Sequence, residues 1–342
     1  MTTITNIQVC FTGVQEVKLD LNKLNKQVDP DQILIRTIYT LISPGTELAM
    51  YTHSHVGFKD PDHPWAKYPF YPGYAAVGQV EIIGSAVQEF QIGDMVYYRG
   101  RHQQNTILSP QDEPVLAVPN DMPLTWAPFA RMAQIANTAI LVSNVTVDSY
   151  VVIIGLGIVG NLAAQLFQIA GAKVFGLDQV AFRCELARRC SITNIICDDA
   201  QNNVSAIKKV TNSLGAHVVV EATGNPALVH PSLEMAQPMG EVILLGSPRG
   251  NANVDIYNLI HRKGVSLKGA HEALFPTMAG SEGEINRKSI TRQMLQYLQN
   301  EQLIVDPLIS RIISPEQMNQ GYKALLSQKD SVVGVLVDWS LA

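Results

Sequence analysis

Hydrophobic and polar positions change their period near the middle of the chain. Up to about Pro119 they alternate over short runs, QILIRTIYTLI, AAVGQVEIIG, GDMVYYRG and VLAVP, separated by turn residues, and the opening MTTITNIQVCFTGVQEVKLD alternates too. Period-two alternation broken by Gly, Pro and Asp predicts half-buried strands, so this part reads as all-β and barrel-like. One insertion interrupts it, THSHVGFKDPDHPWAKYPFYPG, too rich in proline for a helix and too rich in large side chains for a mere linker. An ordered loop lining a pocket is expected there.

From Tyr150 strand-like and helix-like runs take turns. YVVIIG, AKVFGLD, NIICDD, HVVVEAT, EVILLGSP and VSLKGAH read as strands, and IVGNLAAQLFQIAG, AFRCELARRC, VSAIKKVTN and PALVHPSLEMA as helices. Such alternation predicts a parallel, doubly wound sheet. After Ala273 come a helical stretch near Arg292 to Asn300, then PLISRIISPEQMNQGYKALL and a last strand, VVGVLVDW. That tail either extends the parallel sheet or returns to the first domain.

A length of 342 residues suits two domains, and 46% hydrophobic residues suffice to fill both cores. A net charge of -5 with scattered Lys and Arg speaks against nucleic acid or an anionic membrane as partner and for a small molecule. Cys10, Cys184, Cys190 and Cys197 form no C-x-x-C pair, so neither a zinc knot nor a disulfide framework is expected; reduced thiols in the cytoplasm are. The N-terminus lacks the pattern of a signal peptide. The apolar run from Tyr150 to Leu177 contains repeated glycines and Lys173, which argues against a membrane span.

Gly155, Leu156, Gly157, Ile158, Val159 and Gly160 fit G-x-G-x-x-G at the junction of an expected strand and an expected helix. The first glycine permits a tight turn, the second lets a pyrophosphate approach the backbone, and the third lets helix and strand pack closely. Asp178 ends the following strand, where a carboxylate accepts both ribose hydroxyls and repels a 2′-phosphate, so NAD is expected over NADP. Arg183, close downstream, either adds a cation to this site or is an exposed helix arginine.

Further local motifs carry a resemblance: GTEL at Gly45 to Leu48, PGYAAVG at Pro72 to Gly78, GDMV at Gly93 to Val96, LLGSP at Leu244 to Pro248, KGAH at Lys268 to His271, and DPLIS near Asp306. With the glycine motif and the order of the two patterns, the chain resembles the medium-chain dehydrogenase/reductase superfamily over nearly its whole length. The resemblance implies an α/β protein with a GroES-like β-barrel catalytic domain at 1–132, a Rossmann dinucleotide-binding domain at 133–272, and a C-terminal segment, 273–342, returning to the catalytic domain. It also implies cofactor contacts at Thr223, Gly246, Ser247 and Ala270, and a homodimer or homotetramer.

In zinc-dependent members the metal is held by a Cys before the G-T/S-D segment, by His-Glu after the Pro-Gly turn, and by a Cys or Glu opposite. Those positions fall here on Ser43 or Pro44, on Tyr74 and Ala75, and near Arg131. None offers a thiolate, imidazole or carboxylate, so no catalytic zinc is expected. The cysteine-rich lobe for a second zinc is missing as well, since Gly100 runs almost directly into VLAVP. ISPGTE together with FARMA resembles a zinc-lacking branch that oxidises secondary alcohols on larger polar or ring-bearing substrates.

Without zinc another group must stabilise the substrate oxygen, a task worth several kcal/mol. Tyr74 is either a hydrogen-bond donor at the vacated metal position or a core tyrosine. Arg131 is either a fixed positive charge for an alkoxide or a buried ion-pair partner, with Glu47 as one choice. Thr46 matches the hydroxyl that passes the alcohol proton onward, and His271 a position beside the nicotinamide. His102 in GRHQQ and Glu47 are candidates for substrate contact; Trp65, His53 and His55 in the long loop are weaker ones. The expected activity is NAD-linked interconversion of a secondary alcohol and a ketone on a sugar, polyol or hydroxylated ring. A quinone or enone reductase and a non-catalytic nucleotide-binding protein are the alternatives.

Overall fold

The computed structural model describes residues 3–281 and 283–342. The chain divides into two compact units, one of Met1–Arg131, Phe275–Glu301 and Ile309–Ala342, the other of Met132–Leu274 and Gln302–Leu308. The segment 273–342 is thus split, because Gln302–Leu308 goes with the second unit: Leu303, Val305 and Leu308 are buried, and both backbone groups of Ile304 bond the Gln165 side chain.

The first unit opens with an antiparallel hairpin of β1 (Thr3–Gly13) and β2 (Glu16–Asn25), closed through Gln15 at positive φ. Then follow β3 (Ile33–Leu41), the short helix α1 (Thr46–Tyr51), β4 (Ala76–Ile83), β5 (Met95–Tyr98), β6 (Asn105–Leu108) and β7 (Val115–Ala117). Helix α2 (Phe129–Val142) begins in this unit and continues into the other. The second unit holds β8 (Tyr150–Ile154), α3 (Ile158–Ile169), β9 (Lys173–Leu177), α4 (Ala181–Arg189), β10 (Asn194–Ile196), α5 (Val204–Val210), β11 (Ala216–Glu221), α6 (Val229–Met235), β12 (Ala236–Leu244) and β13 (Ser266–Gly269). The chain ends with α7 (Arg287–Gln299), β14 (Ile309–Ile313), α8 (Met318–Ser327) and β15 (Gly334–Asp338).

β1 and β2 form a two-stranded sheet of their own, and the other strands of the first unit form one sheet in the order β14-β15-β3-β4-β5-β7, with β6 beside β3. β3 is its axis. Along one edge it pairs β4; along the other it pairs β6 through Ile33 to Arg36 and β15 through Tyr39 to Leu41, all antiparallel. The tail therefore returns to the first unit, its open alternative at the level of sequence. One core beside this sheet joins Phe11, Tyr51 and Tyr322, whose rings pack at 5.0–5.7 Å; another gathers Ile33, Ile35, Val80, Val96 and Tyr98.

The second unit is a six-stranded sheet in the order β10-β9-β8-β11-β12-β13, every pair parallel. Counted from β8, this is the 3-2-1-4-5-6 order of a dinucleotide-binding Rossmann sheet. Its central strands are near-continuous apolar runs because helices cover both faces, and Val152, Ile154, Val219 and Val242 are fully or almost fully buried. One boundary moved: α7 starts at Arg287, five residues earlier than the apolar pattern suggested, because Asn286 and Ser289 form a capping box. Among the described residues no helix is long and apolar enough to cross a membrane.

Candidate active site

The glycine motif occupies the turn between β8 and α3. Gly155 has φ +93°, a left-handed conformation that side chains resist, and its N–H reaches Leu177 O at 2.8 Å. A Cβ on Gly160 would lie 1.9 Å from Gly155 O, so only glycine lets helix and strand approach this closely. A Cβ on Gly157 would meet nothing within 4 Å, and Gly157 caps α3 without a side-chain hydrogen bond. The protein leaves this helix N-terminus open and its N–H groups aimed outward, the arrangement that binds a pyrophosphate.

Asp178 is nearly buried at the end of β9. Its Oδ2 accepts Leu156 N–H at 2.8 Å and its Oδ1 accepts Val180 N–H at 2.9 Å, which fixes the carboxylate beside the glycine turn. Arg183 Nη1 lies 3.7 Å from Oδ2. On the neighbouring strand, Glu221 is wholly buried and was not foreseen: it gathers the Thr223 N–H at 2.8 Å, the Thr223 hydroxyl and the Gly224 N–H. Burial holds its carboxyl above the ordinary value, only partly offset by these bonds. Its backbone O also accepts from Gly246 N–H at 2.8 Å, so Glu221 shapes both loops that carry Thr223, Gly246 and Ser247. Thr223 and Ser247 are exposed, whereas Ala270 is buried, with its O accepting the Thr138 hydroxyl at 2.9 Å.

A second cluster belongs to the first unit. The Tyr74 hydroxyl donates to Ser43 Oγ, and the Arg131 guanidinium lies 5.3 Å from the Tyr74 ring centre. Burial and the Glu47 charge push the Tyr74 hydroxyl up to about 12, against the opposing effects of Ser43, Arg131 and Thr46. Beneath it, the Glu47 carboxylate accepts the Ser43 N–H at 3.1 Å, His102 Nε2 at 2.9 Å and the Tyr322 hydroxyl at 2.5 Å. His102 Nδ1 sits 2.7 Å from Thr40 Oγ1, which also accepts Trp339 Nε1–H at 2.9 Å. One set of protons satisfies the chain with a neutral ring: the indole gives to Thr40, Thr40 to Nδ1, and Nε2–H to Glu47.

Two family models match this chain, the alcohol dehydrogenase GroES-like domain over residues 29–114 and the zinc-binding dehydrogenase over 159–281. The first lies within the first unit and includes Ser43, Glu47, Tyr74 and His102; the second lies mostly in the other unit and includes Gly160, Asp178 and Glu221. The chain belongs to the medium-chain alcohol dehydrogenase superfamily. This dehydrogenase is 27% identical over 289 residues to L-threonine 3-dehydrogenase of Caldanaerobacter subterraneus subsp. tengcongensis, covering 75% of this chain and 79% of the relative. It is 32% identical over 157 residues to D-guloside 3-dehydrogenase of Shigella flexneri, covering 45% of each. In fold it is similar to an oxidoreductase/dehydrogenase of unknown specificity involved in membrane biogenesis from Escherichia coli, with TM-score 0.84, 15% identity and coverage of 98% and 99%. It is an oxidoreductase of the medium-chain alcohol dehydrogenase type.

The positions where the resemblance places the zinc ligands of metal-dependent relatives carry two hydroxyls, a methyl and a guanidinium, on Ser43, Tyr74, Ala75 and Arg131. Ser43 Oγ is taken by Tyr74, Ala75 has no donor, and Arg131 places a cation over the tyrosine ring. That donor set does not fit a divalent ion, which needs thiolate, imidazole or carboxylate. Among the described residues no three His, Cys, Asp or Glu side chains are grouped to hold a metal. A nicotinamide dinucleotide does fit, on the open Gly157, the uncapped α3 and the fixed Asp178.

The structure brings Thr46, Tyr74 and Arg131 together in one unit. His271 lies on the other, exposed, with Nδ1 accepting Ala273 N–H at 3.1 Å, so its neutral ring carries the proton on Nε2. His102 and Glu47, candidates for substrate contact, are 0% and 1% exposed; their polar atoms face each other rather than a ligand. Trp65 is 47% exposed on the long loop, 5.0 Å from the His55 ring. That loop is ordered by its own contacts: His53 packs on Phe58 at 3.8 Å, and the Tyr68 hydroxyl donates to Met50 O at 2.7 Å. Tyr322 and Trp339 escaped notice because nothing near them in sequence resembles a site.

Proposed function

We propose that this dehydrogenase is zinc-independent and NAD-dependent, and that it interconverts a secondary alcohol and a ketone on a polar substrate such as a sugar, polyol or hydroxylated ring. One observation carries the reading: where relatives hold zinc, the Tyr74 hydroxyl is bonded to Ser43 and overlain by Arg131. A bound NAD supplies the hydride acceptor. Tyr74, protonated up to about pH 12, turns its one hydroxyl proton from Ser43 Oγ to the substrate oxygen and donates a hydrogen bond there without itself ionising. Arg131 supplies the fixed charge that favours an alkoxide, the work of a Lewis acid done by a permanent cation. Thr46 and Ser43, both hydrogen-bonded to the tyrosine hydroxyl, give the released proton a path, and His271 is assigned as a further proton donor or acceptor. The fixed Asp178 favours NAD over NADP by repelling a 2′-phosphate. The names of the two relatives, both 3-dehydrogenases of polar compounds, support an alcohol on a polar carbon skeleton. The working form is proposed as a cytoplasmic homodimer or homotetramer.

Purified protein treated with EDTA tests this reading. Reduction of NAD+ against an alcohol panel is expected to persist, and activity restored only by added zinc would overturn it. NADPH-linked reduction of quinones or enones without alcohol oxidation would put a reductase in its place.

A further inference from the structure

Two thiols that the proposed chemistry does not use flank the carboxylate assigned to the ribose. β9 and β10 pair in parallel with Leu177 opposite Ile196, so the next residues, Asp178 and Cys197, leave the sheet side by side. The Asp178 N–H still bonds Ile196 O at 3.3 Å. From α4, the buried Cys184 donates its S–H to Asp178 O at 3.2 Å, and the Cys197 thiol is near enough to act on the same sulfur. Cys197 is exposed. An accessible thiol, a buried thiol and the main chain of Asp178 thus form one contiguous cluster.

We propose that Cys184 and Cys197 form a reversible oxidation site, a peroxide-driven disulfide that weakens dinucleotide binding through Asp178. The proposal rests on the cofactor assignment above. The Cys197 thiolate attacks hydrogen peroxide, an S–O bond forms as the O–O bond breaks, and hydroxide leaves, giving a sulfenic acid. Cys184 sulfur then attacks the Cys197 sulfur; the S–S bond forms, the S–O bond breaks, and the hydroxyl departs as water with the proton of Cys184. Two thiols lose two electrons and two protons in all, and peroxide becomes two waters. Burial and the neighbouring Cys197 hold the Cys184 thiol above the ordinary range, so oxidation starts at the exposed partner.

The consequence for the cofactor follows from what the bridge removes. The S–H bond to Asp178 O is lost, and a disulfide of about 2.05 Å draws the start of α4 toward the end of β10. The Asp178 main chain bonds Ile196 O of β10, and its carboxylate ties Val180 N–H at the start of α4 to Leu156 N–H of the glycine turn, so the carboxylate shifts from its position at that turn.

The test uses the full-length protein, hydrogen peroxide, peptide mapping without reductant, and NADH titration by fluorescence. A cross-linked Cys184/Cys197 peptide is expected, with NADH affinity reduced about fivefold or more, in the usual range for coupling between sites. Both changes should reverse with a thiol reductant and be absent in Cys197→Ser, an exposed position that tolerates the change, and in Cys184→Ser. Oxidation that stops at a sulfinic acid, or a bridge that leaves NADH affinity unchanged, would overturn the proposal. Reduced protein that binds no NADH would sink the cofactor assignment and the coupling together, whereas a missing bridge in protein that binds NADH would sink this inference alone.

Discussion

The glycine turn of the nucleotide unit and the tyrosine cluster of the other unit are both sites, but they are built from different materials. The turn is backbone: three glycines, a helix end and one carboxylate within 24 residues, Gly155 to Asp178. The cluster is side chain, and its members come from Thr40, Ser43, Glu47, Tyr74, His102, Arg131, Tyr322 and Trp339. A backbone site tolerates little variation in residue type because each glycine answers a steric demand. A side-chain site can be rewritten one group at a time, because each member meets its partners through a replaceable hydroxyl, carboxylate or cation rather than through the main chain.

Substitutions inside the glycine turn give the largest expected effects and should differ sharply from one another. Gly160→Ala places Cβ against Gly155 O and is expected to cost about 4 kcal/mol or more, read as loss of the folded nucleotide unit. Gly157→Ala meets no protein atom, so the melting temperature should hold while NADH affinity falls about tenfold or more, equivalent to roughly 1.4 kcal/mol. Equal effects of the two would refute the separate roles given to these glycines.

Next come the groups at the metal position. Tyr74→Phe and Arg131→Met should lower kcat about 10²- to 10³-fold, the range for removing one charge-stabilising donor, with NADH affinity unchanged. Full turnover in Tyr74→Phe would return this residue to the role of a packing tyrosine. Below the cluster, Glu47→Gln should destabilise the fold by about 1–3 kcal/mol, since a neutral amide cannot accept from Ser43, His102 and Tyr322 together. Chemical denaturation measures this, and an unchanged midpoint would show that the buried network is dispensable.

The smallest effect is in pH. In the unfolded chain Tyr74 and Tyr98 ionise near their ordinary value of 10.0, whereas in the fold each is pushed up to about 12, chiefly by burial. The native state therefore binds more protons in that window, and stability falls as pH rises from 10 through 12. Tyr74→Phe should flatten part of this fall in alkaline unfolding curves. A slope identical to the unsubstituted protein would place the Tyr74 hydroxyl in contact with solvent.

How much of each region could be read beforehand follows from the same contrast. G-x-G-x-x-G and Asp178 are local, and their spacing already states the turn, the helix start and the strand end that the structure contains. The parallel sheet was equally legible, because apolar runs and helical periods mark both faces as covered. Glu221 was not, since a carboxylate at a strand end carries no sign that three donors converge on it. The hub around Glu47 was less legible still: His102 is 55 positions away and Tyr322 is 275, so no local spacing joins them. The position of His102 in GRHQQ points toward substrate, and only the fold shows that both its nitrogens are spent on Thr40 and Glu47. The start of α7 moved for a similar reason, as its cap lies outside the apolar pattern.

The last strand has a consequence for how the molecule comes into being. β15 pairs with β3, and Trp339 bonds Thr40, so a sheet begun at Ile33 is completed only at Asp338. A chain emerging from the ribosome has made β8 to β13 and the helices between them while the Tyr39–Leu41 end of β3, beyond its pairing with β6, still lacks its partner strand. Domains ordinarily fold in the order in which they are synthesised. Here the half written first is the half that must wait.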